Sequence, residues 1–372
     1  MPHTAAALSS DPADRFFVKE LADEAAPRRE TMERLCELAA QLFLRRPWDV
    51  LNESELVLVK DPVSAAMCHC SVMGQAGQVF ALHAYVGEES FRLFRKLEAG
   101  KPVTMGEFLA SQRSVSVEFV RIAELTAADR QVFRGLDLAL KRGALVPVFR
   151  AIRPGYHPWY VTEEEALALA ECQRAVITIC DLVAANSGAS YWSSPDTYPV
   201  LSRVDGAGSQ PEFRIEATQV KSSPAPPLEC PAVDESRLQK IREGQYPRRA
   251  VVLEVDHFHG AGMIGDRNQR KACFRMALAV DAQTAFAYPP ELSLPSASTG
   301  EALANVVLNA IESGRMLPRE IRVGNAAYMP VLDPIARALG VSVRVHKSLR
   351  ALEFTKKHLL EAMGDPGPLP YV

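Results

Sequence analysis

Hydrophobic positions fall in two rhythms along this chain, and the switches between them outline its elements. In RRETMERLCELAAQLFLRRP (28–47) apolar residues recur at 35, 38, 39, 42 and 43, the spacing of one helical face. ELVLVKD (55–61), AAMCHCSVMG (65–74) and QVFALHAYVG (78–87) read instead as short strands, the last two joined by a turn at Gly74–Gly77. EESFRLFRKLEAG (88–100) predicts a helix ended by Gly100, SVSVEFVRI (114–122) a strand, and 125–143 another helix. A long helix is expected over 162–185, opened by Thr162 and Glu165 at capping-box spacing. Residues 1–190 thus form one mixed α+β domain.

The texture then changes. Over 191–245 PVLSRVDG and EFRIEATQV suggest two strands, and KSSPAPPLECPAVDES (221–236) has the Pro/Ser content of a linker. Residues 246–372 give a regular order: strands at 250–258, 273–280 and 284–288, a helix over 299–314, a strand at 319–324, a helix to about 339, a strand at 341–346 and a helix at 349–363. That order, βββαβαβα, predicts an α/β domain with a mixed sheet covered by helices.

Composition narrows the function classes. With 372 residues, 48% hydrophobic and 23% charged, the chain suits about two globular domains. A net charge of −3 is far from a dedicated nucleic-acid binder, and the basic stretch VRVHKSLR (343–350) with Lys356, Lys357 and His358 allows only weak, salt-sensitive phosphate contacts. No apolar run has membrane-spanning length, and MPHTAAALSSDPADRFF (1–17) lacks the pattern of a secretory signal. Seven cysteines, an odd number set mostly in apolar patterns, point to buried thiols in a reducing cytoplasm.

Several patterns carry candidate chemistry. Gly260, Gly262 and Gly265 spell G-x-G-x-x-G after an apolar strand, with Asp281 further on, the written form of a dinucleotide fingerprint. That chemistry needs a helix at the third glycine, to aim its free N–H groups at a pyrophosphate. Here DRNQRK has no apolar stripe, and the alternation from Cys273 to Val280 is that of a strand. Gly260–Lys271 is therefore expected to be a loop between strands, with nucleotide binding through 260–265 as an alternative. Cys68 and Cys70 should face one way and His69 the other, so the three cannot close one metal site locally. His257 and His259 share a strand face as candidate metal ligands, but two ligands need further partners. PGYHPWY (154–160) is either a stacking surface or, as favoured here, a rigid loop burying its aromatics. No G-x-S-x-G or P-loop occurs.

Among carboxylates, Asp256 on the first C-terminal strand and Glu361 on the last helix stand where a two-metal nuclease keeps its acids. The strand between ends in Gly324 and Asn325, and Glu301 on the first helix is explained more simply as part of a capping box with Ser298.

The elements EVDHF, LAVDAQTAFAY, TGEALANVVLNAIESG and MLPREIRVGN give residues 250–363 a pattern that resembles the ribonuclease-H-like core of integrases and DDE transposases. The resemblance implies that Asp256 and Glu361 would match the outer two metal-binding acids, that Gly324 or Asn325 stands at the middle one, and that Mg²⁺ would be the cofactor if the nuclease alternative held. Over most of its length the chain also resembles bacterial proteins built from two domains of unknown function, through CHCSVMGQAGQVFALHAYVGEE, VPVFRAIRPGYHPWYVTEEEA and LPREIRVGN. That likeness implies no activity. The reading favoured overall is a non-catalytic binding or assembly role without a cofactor, with the metal-dependent nuclease and the nucleotide-binding protein as alternatives; the sequence indicates no oligomeric state.

Overall fold

The computed structural model describes residues 24–103, 105–185, 191–204, 212–224, 227–232, 234–266 and 269–362. The stretch read for a signal, 1–17, lies outside them, as do the end of the strand expected at 199–206, parts of the linker, and Met363.

A seven-stranded sheet forms the N-terminal part. Its strands are β1 (Val57–Lys60), β2 (Met67–Met73), β3 (Phe80–Val86), β4 (Ser114–Arg121), β5 (Leu145–Ile152), β6 (Thr197–Val204) and β7 (Glu212–Gln219), in the order β5-β4-β3-β2-β1-β6-β7. β1 to β5 are antiparallel, whereas β6 lies parallel to β1. β6 and β7, which the sequence left between the domains, thus complete this sheet. β5 was not predicted. Pro147 interrupts its pattern and is tolerated because β5 is an edge strand.

One face of this sheet is covered by α1 (Arg29–Arg45) and α5 (Glu163–Ala184), whose Leu35, Leu42, Leu169, Val176 and Ile179 join Cys70, Val72 and Leu82 in the main core. The other face carries α2 (Gly87–Glu98), with Phe91 and Phe94 on Leu56, Leu58 and Tyr198. Thr162 caps α5 by accepting from the Glu165 N–H, and Glu165 accepts in return from the Thr162 N–H. The expected helix at 125–143 is shorter, α4 (Ala127–Gly135), and α3 (Met105–Ser111) is an addition.

The C-terminal sheet is five-stranded, from β8 (Val252–Ile264), β9 (Ala272–Asp281), β10 (Glu291–Ser293), β11 (Glu320–Val323) and β12 (Ser342–Val345), ordered β10-β9-β8-β11-β12. β8, β9 and β10 are antiparallel neighbours; β11 runs parallel to β8, and β12 to β11. α7 (Thr299–Gly314) and α8 (Met329–Leu339) cover one face, against Leu253, Val255, Ala277 and Ala279. α9 (Arg350–Ala362) covers the other, against Phe258, Met276, Leu278 and Val280. α6 (Glu235–Glu243), at the end of the expected linker, buries Leu238 and Ile241 in the α7–α8 core.

Two expectations need correction here. The third strand is at 291–293 rather than 284–288, where only a single bridge links Ala287 to Val280 and Phe286 is exposed. And β8 does not stop at 258. It runs through Gly260 and Gly262 to Ile264, paired with β9 across a bulge between Gly260 and Met263.

That extension joins the two halves. The Cys273 N–H donates to Gly155 O (2.7 Å), the His157 N–H to Lys271 O (2.8 Å), and Tyr156 bridges to Ala272. Leu109, Ile152 and Cys273 make a small apolar cluster between the domains. PGYHPWY is thus a packing loop at the junction, where Trp159 and Tyr160 lie against the N-terminal core.

Candidate functional site

Alternation along β8 sends its even-numbered residues toward α9 and its odd-numbered ones toward α7. The residues singled out from the sequence are therefore divided between two faces.

On the α9 face Asp256 is largely enclosed. Lys356 Nζ stands 3.4 Å from Asp256 Oδ2, and the Tyr328 hydroxyl donates to Asp256 Oδ1 and to His257 O, both at 3.3 Å. Lys356 also sits 4.6 Å above the Phe258 ring. Burial and the neighbouring Asp256 charge push the Tyr328 hydroxyl pKa well up, so it remains a donor. Two residues earlier, buried Glu254 accepts from the Leu352 N–H (2.9 Å) and so caps the start of α9. Both carboxylates of β8 are thus engaged in holding α9.

The other nuclease candidates do not join them. Glu361 is exposed, with Lys357 Nζ 3.9 Å away, and lies five residues past Lys356, about 140° around the helix. Glu301 is on α7, on the opposite face, where its N–H donates to Ser298 Oγ. Asn325 accepts from the Ala327 N–H and caps the turn before α8. Among the described residues no three His, Cys, Asp or Glu side chains form a group able to hold a metal ion.

On the α7 face lie His257 and His259, their rings 5.1 Å apart and nearly perpendicular. Burial, with His259, Arg275 and Lys356 nearby, lowers the His257 pKa to about 3; burial, with Arg275 and Lys356, lowers that of His259 to about 4. A divalent cation would meet two cationic side chains here, so this pair is poorly placed as a metal centre.

The glycine motif has a packing explanation. A Cβ on Gly260 would lie 1.9 Å from Phe274 Cζ, and one on Gly262 would lie 3.1 Å from Phe274 Cδ1. Gly265 has φ +129°, and β9 begins at Ala272, so among the described residues no helix follows it to receive a pyrophosphate.

Cys68 and Cys70 face Cys172 of α5 as free thiols, whereas His69 points the other way and stacks on Phe91 at 4.2 Å. In the basic stretch Arg344 and His346 flank Glu320, at 3.7 and 3.6 Å, and Arg322 pairs with the same carboxylate. One carboxylate, shared with Arg322, thus offsets part of that positive charge.

Residues 33–198 match the family described as Domain of unknown function (DUF7309), and residues 237–360 match Domain of unknown function (DUF6930). Two domains of unknown function are present. No curated protein matches the chain. Among solved structures, the catalytic core domain of BIV integrase is similar over 30% of this chain and 68% of its own, at 13% identity and a TM-score of 0.23. No described helix is long and apolar enough to cross a membrane.

The sequence pointed to neither Arg275 nor Arg270, the two buried cations of this region. An arginine inside an apolar strand and one at a hairpin tip are the signals that could have found them.

Proposed function

We propose that this is a non-catalytic binding or assembly protein of the cytoplasm, whose C-terminal domain keeps a ribonuclease-H-like strand order without a working set of metal-binding acids. The observation that carries the reading is the engagement of Asp256 by Lys356 and Tyr328. A lysine ammonium there does electrostatically what a divalent ion would do, and the carboxylate two residues earlier on the same face, Glu254, is engaged by the Leu352 N–H. The strand order β10-β9-β8-β11-β12 supports the fold assignment, and seven free thiols agree with a reducing compartment.

Thermal melts in Mg²⁺ or Mn²⁺, against NaCl at equal ionic strength, test the reading. No saturable rise in Tm is expected, and nucleic acid should remain uncut. A saturable rise that Asp256→Asn removes would show that Asp256 is a metal ligand and would overturn the reading.

A further inference from the structure

Across the α7 face, His259, Arg275 and Ser293 form one cross-strand row on β8, β9 and β10, with His257 one pair along. Buried polar atoms ordinarily have partners, yet three in this patch have none: His257 Nε2, Arg275 Nε and Ser293 Oγ. Each can present a hydrogen, the histidine in the tautomer protonated at that nitrogen.

Arg275 adds a charge argument. It is 8% exposed, and among the described residues it has no ion pair. Its terminal nitrogens donate to Pro295 O (2.8 Å), Ala297 O (2.7 Å) and Thr299 Oγ1, which are neutral acceptors. A buried cation normally has a counter-charge, because desolvation is otherwise costly. Thr299 moreover opens α7, a helix of 16 residues capped by Ser298, so the guanidinium stands at the positive end of a helix dipole. Of the acids on this face, Glu291 is held by Asn309 Nδ2 (3.3 Å) and Glu301 is solvent-exposed in the first turn of α7.

We propose that this patch is an oxyanion site that takes a phosphate group, with Arg275, His257 and Ser293 as donors and the partly exposed His259 beside them. An anion in this patch would offer acceptors to unpartnered donors and a counter-charge to the arginine and the helix end together. A water molecule would supply only the first. The site is independent of Asp256, which faces α9.

Titration of the full chain with inorganic phosphate at pH 7, followed by calorimetry and by Tm against chloride at matched ionic strength, tests this. Saturable binding with a rise in Tm is expected. Ser293→Ala and His257→Gln should each weaken it about three- to tenfold, as loss of one hydrogen bond does. Arg275→Gln should abolish it. Because Arg275 also holds the 295–299 segment, Ser293→Ala, which removes no hydrogen bond made within the protein, is the decisive variant. Absence of saturable phosphate binding to the wild type would overturn the proposal, and so would binding left unchanged by both Ser293→Ala and His257→Gln.

Discussion

Arg270→Ala is expected to destabilise the protein by about 3–5 kcal/mol, the usual cost of removing one partner from a buried ion pair. Arg270 stands between β8 and β9, its side chain 5% exposed, and reaches into the N-terminal domain. It donates to Ala151 O (3.2 Å) and Tyr160 O (3.4 Å) and pairs with Glu165 (3.2 Å) and Glu24 (3.2 Å). Truncation removes the charge facing two carboxylates and leaves two carbonyls without this donor. Arg153 remains beside Glu165 and Glu24, at 2.6 and 2.8 Å, and should hold the loss toward the lower end of that range. A denaturant melt of wild type and variant measures the difference. A cost below about 0.5 kcal/mol would mean that the domains hold together without this contact.

The same contact has a pH signature. Burial raises the Glu165 pKa, but Arg270 and Arg153 outweigh it and the net shift is downward. A carboxylate with a depressed folded pKa contributes stability that is complete above its unfolded value, about 4.3, and lost as pH falls through the folded one. The gap between wild type and Arg270→Ala should therefore be full at pH 7 and narrow below about pH 4. A gap that widened in acid would contradict the assignment.

These contacts show where sequence reading succeeds and where it stops. The capping box Thr162/Glu165 locates the start of α5 because it is a local rule, satisfied within four residues. The second role of Glu165, receiving Arg270 across a domain boundary, has no local signature, since the partners are 105 residues apart. Alternation placed Cys68 and Cys70 on one face and His69 on the other, which needs only the strand period. It did not reveal Cys172 opposite them, which tertiary packing alone supplies. β5 was hidden by Pro147, a residue that argues against a strand until the strand is known to lie at an edge. At the candidate site, Asp256 was legible as an acid on the first strand; its neutralisation by Lys356, 100 residues away, was not. Arg275 has the periodicity of a core position, whereas its chemistry is that of an unpaired charge.

Gly260→Ala is the sharpest test of what the G-x-G-x-x-G pattern is for, with an expected cost of about 1–3 kcal/mol and more for Gly260→Val. The new Cβ would fall within 1.9–2.8 Å of three atoms of the Phe274 ring, and Phe274, 2% exposed, packs with Phe258, Met276 and Leu352 beneath α9. The ring cannot rotate away without opening that core, so strain passes into β9. Gly262→Ala, at 3.1 Å from the same ring, should cost less. Phe274→Leu tests the cause. It leaves a cavity and is destabilising alone, but it makes room at Gly260, so the double variant should be more stable than the sum of the two single losses. A glycine kept for the approach of a cofactor would give the opposite pattern: Gly260→Ala would leave the melt of the free protein nearly unchanged, and Phe274→Leu would rescue nothing. Simple additivity in this cycle would detach the glycine from the ring. Coupling of about 1 kcal/mol or more would fix Gly260 as the space that Phe274 fills on the hairpin carrying Arg275 and Arg270.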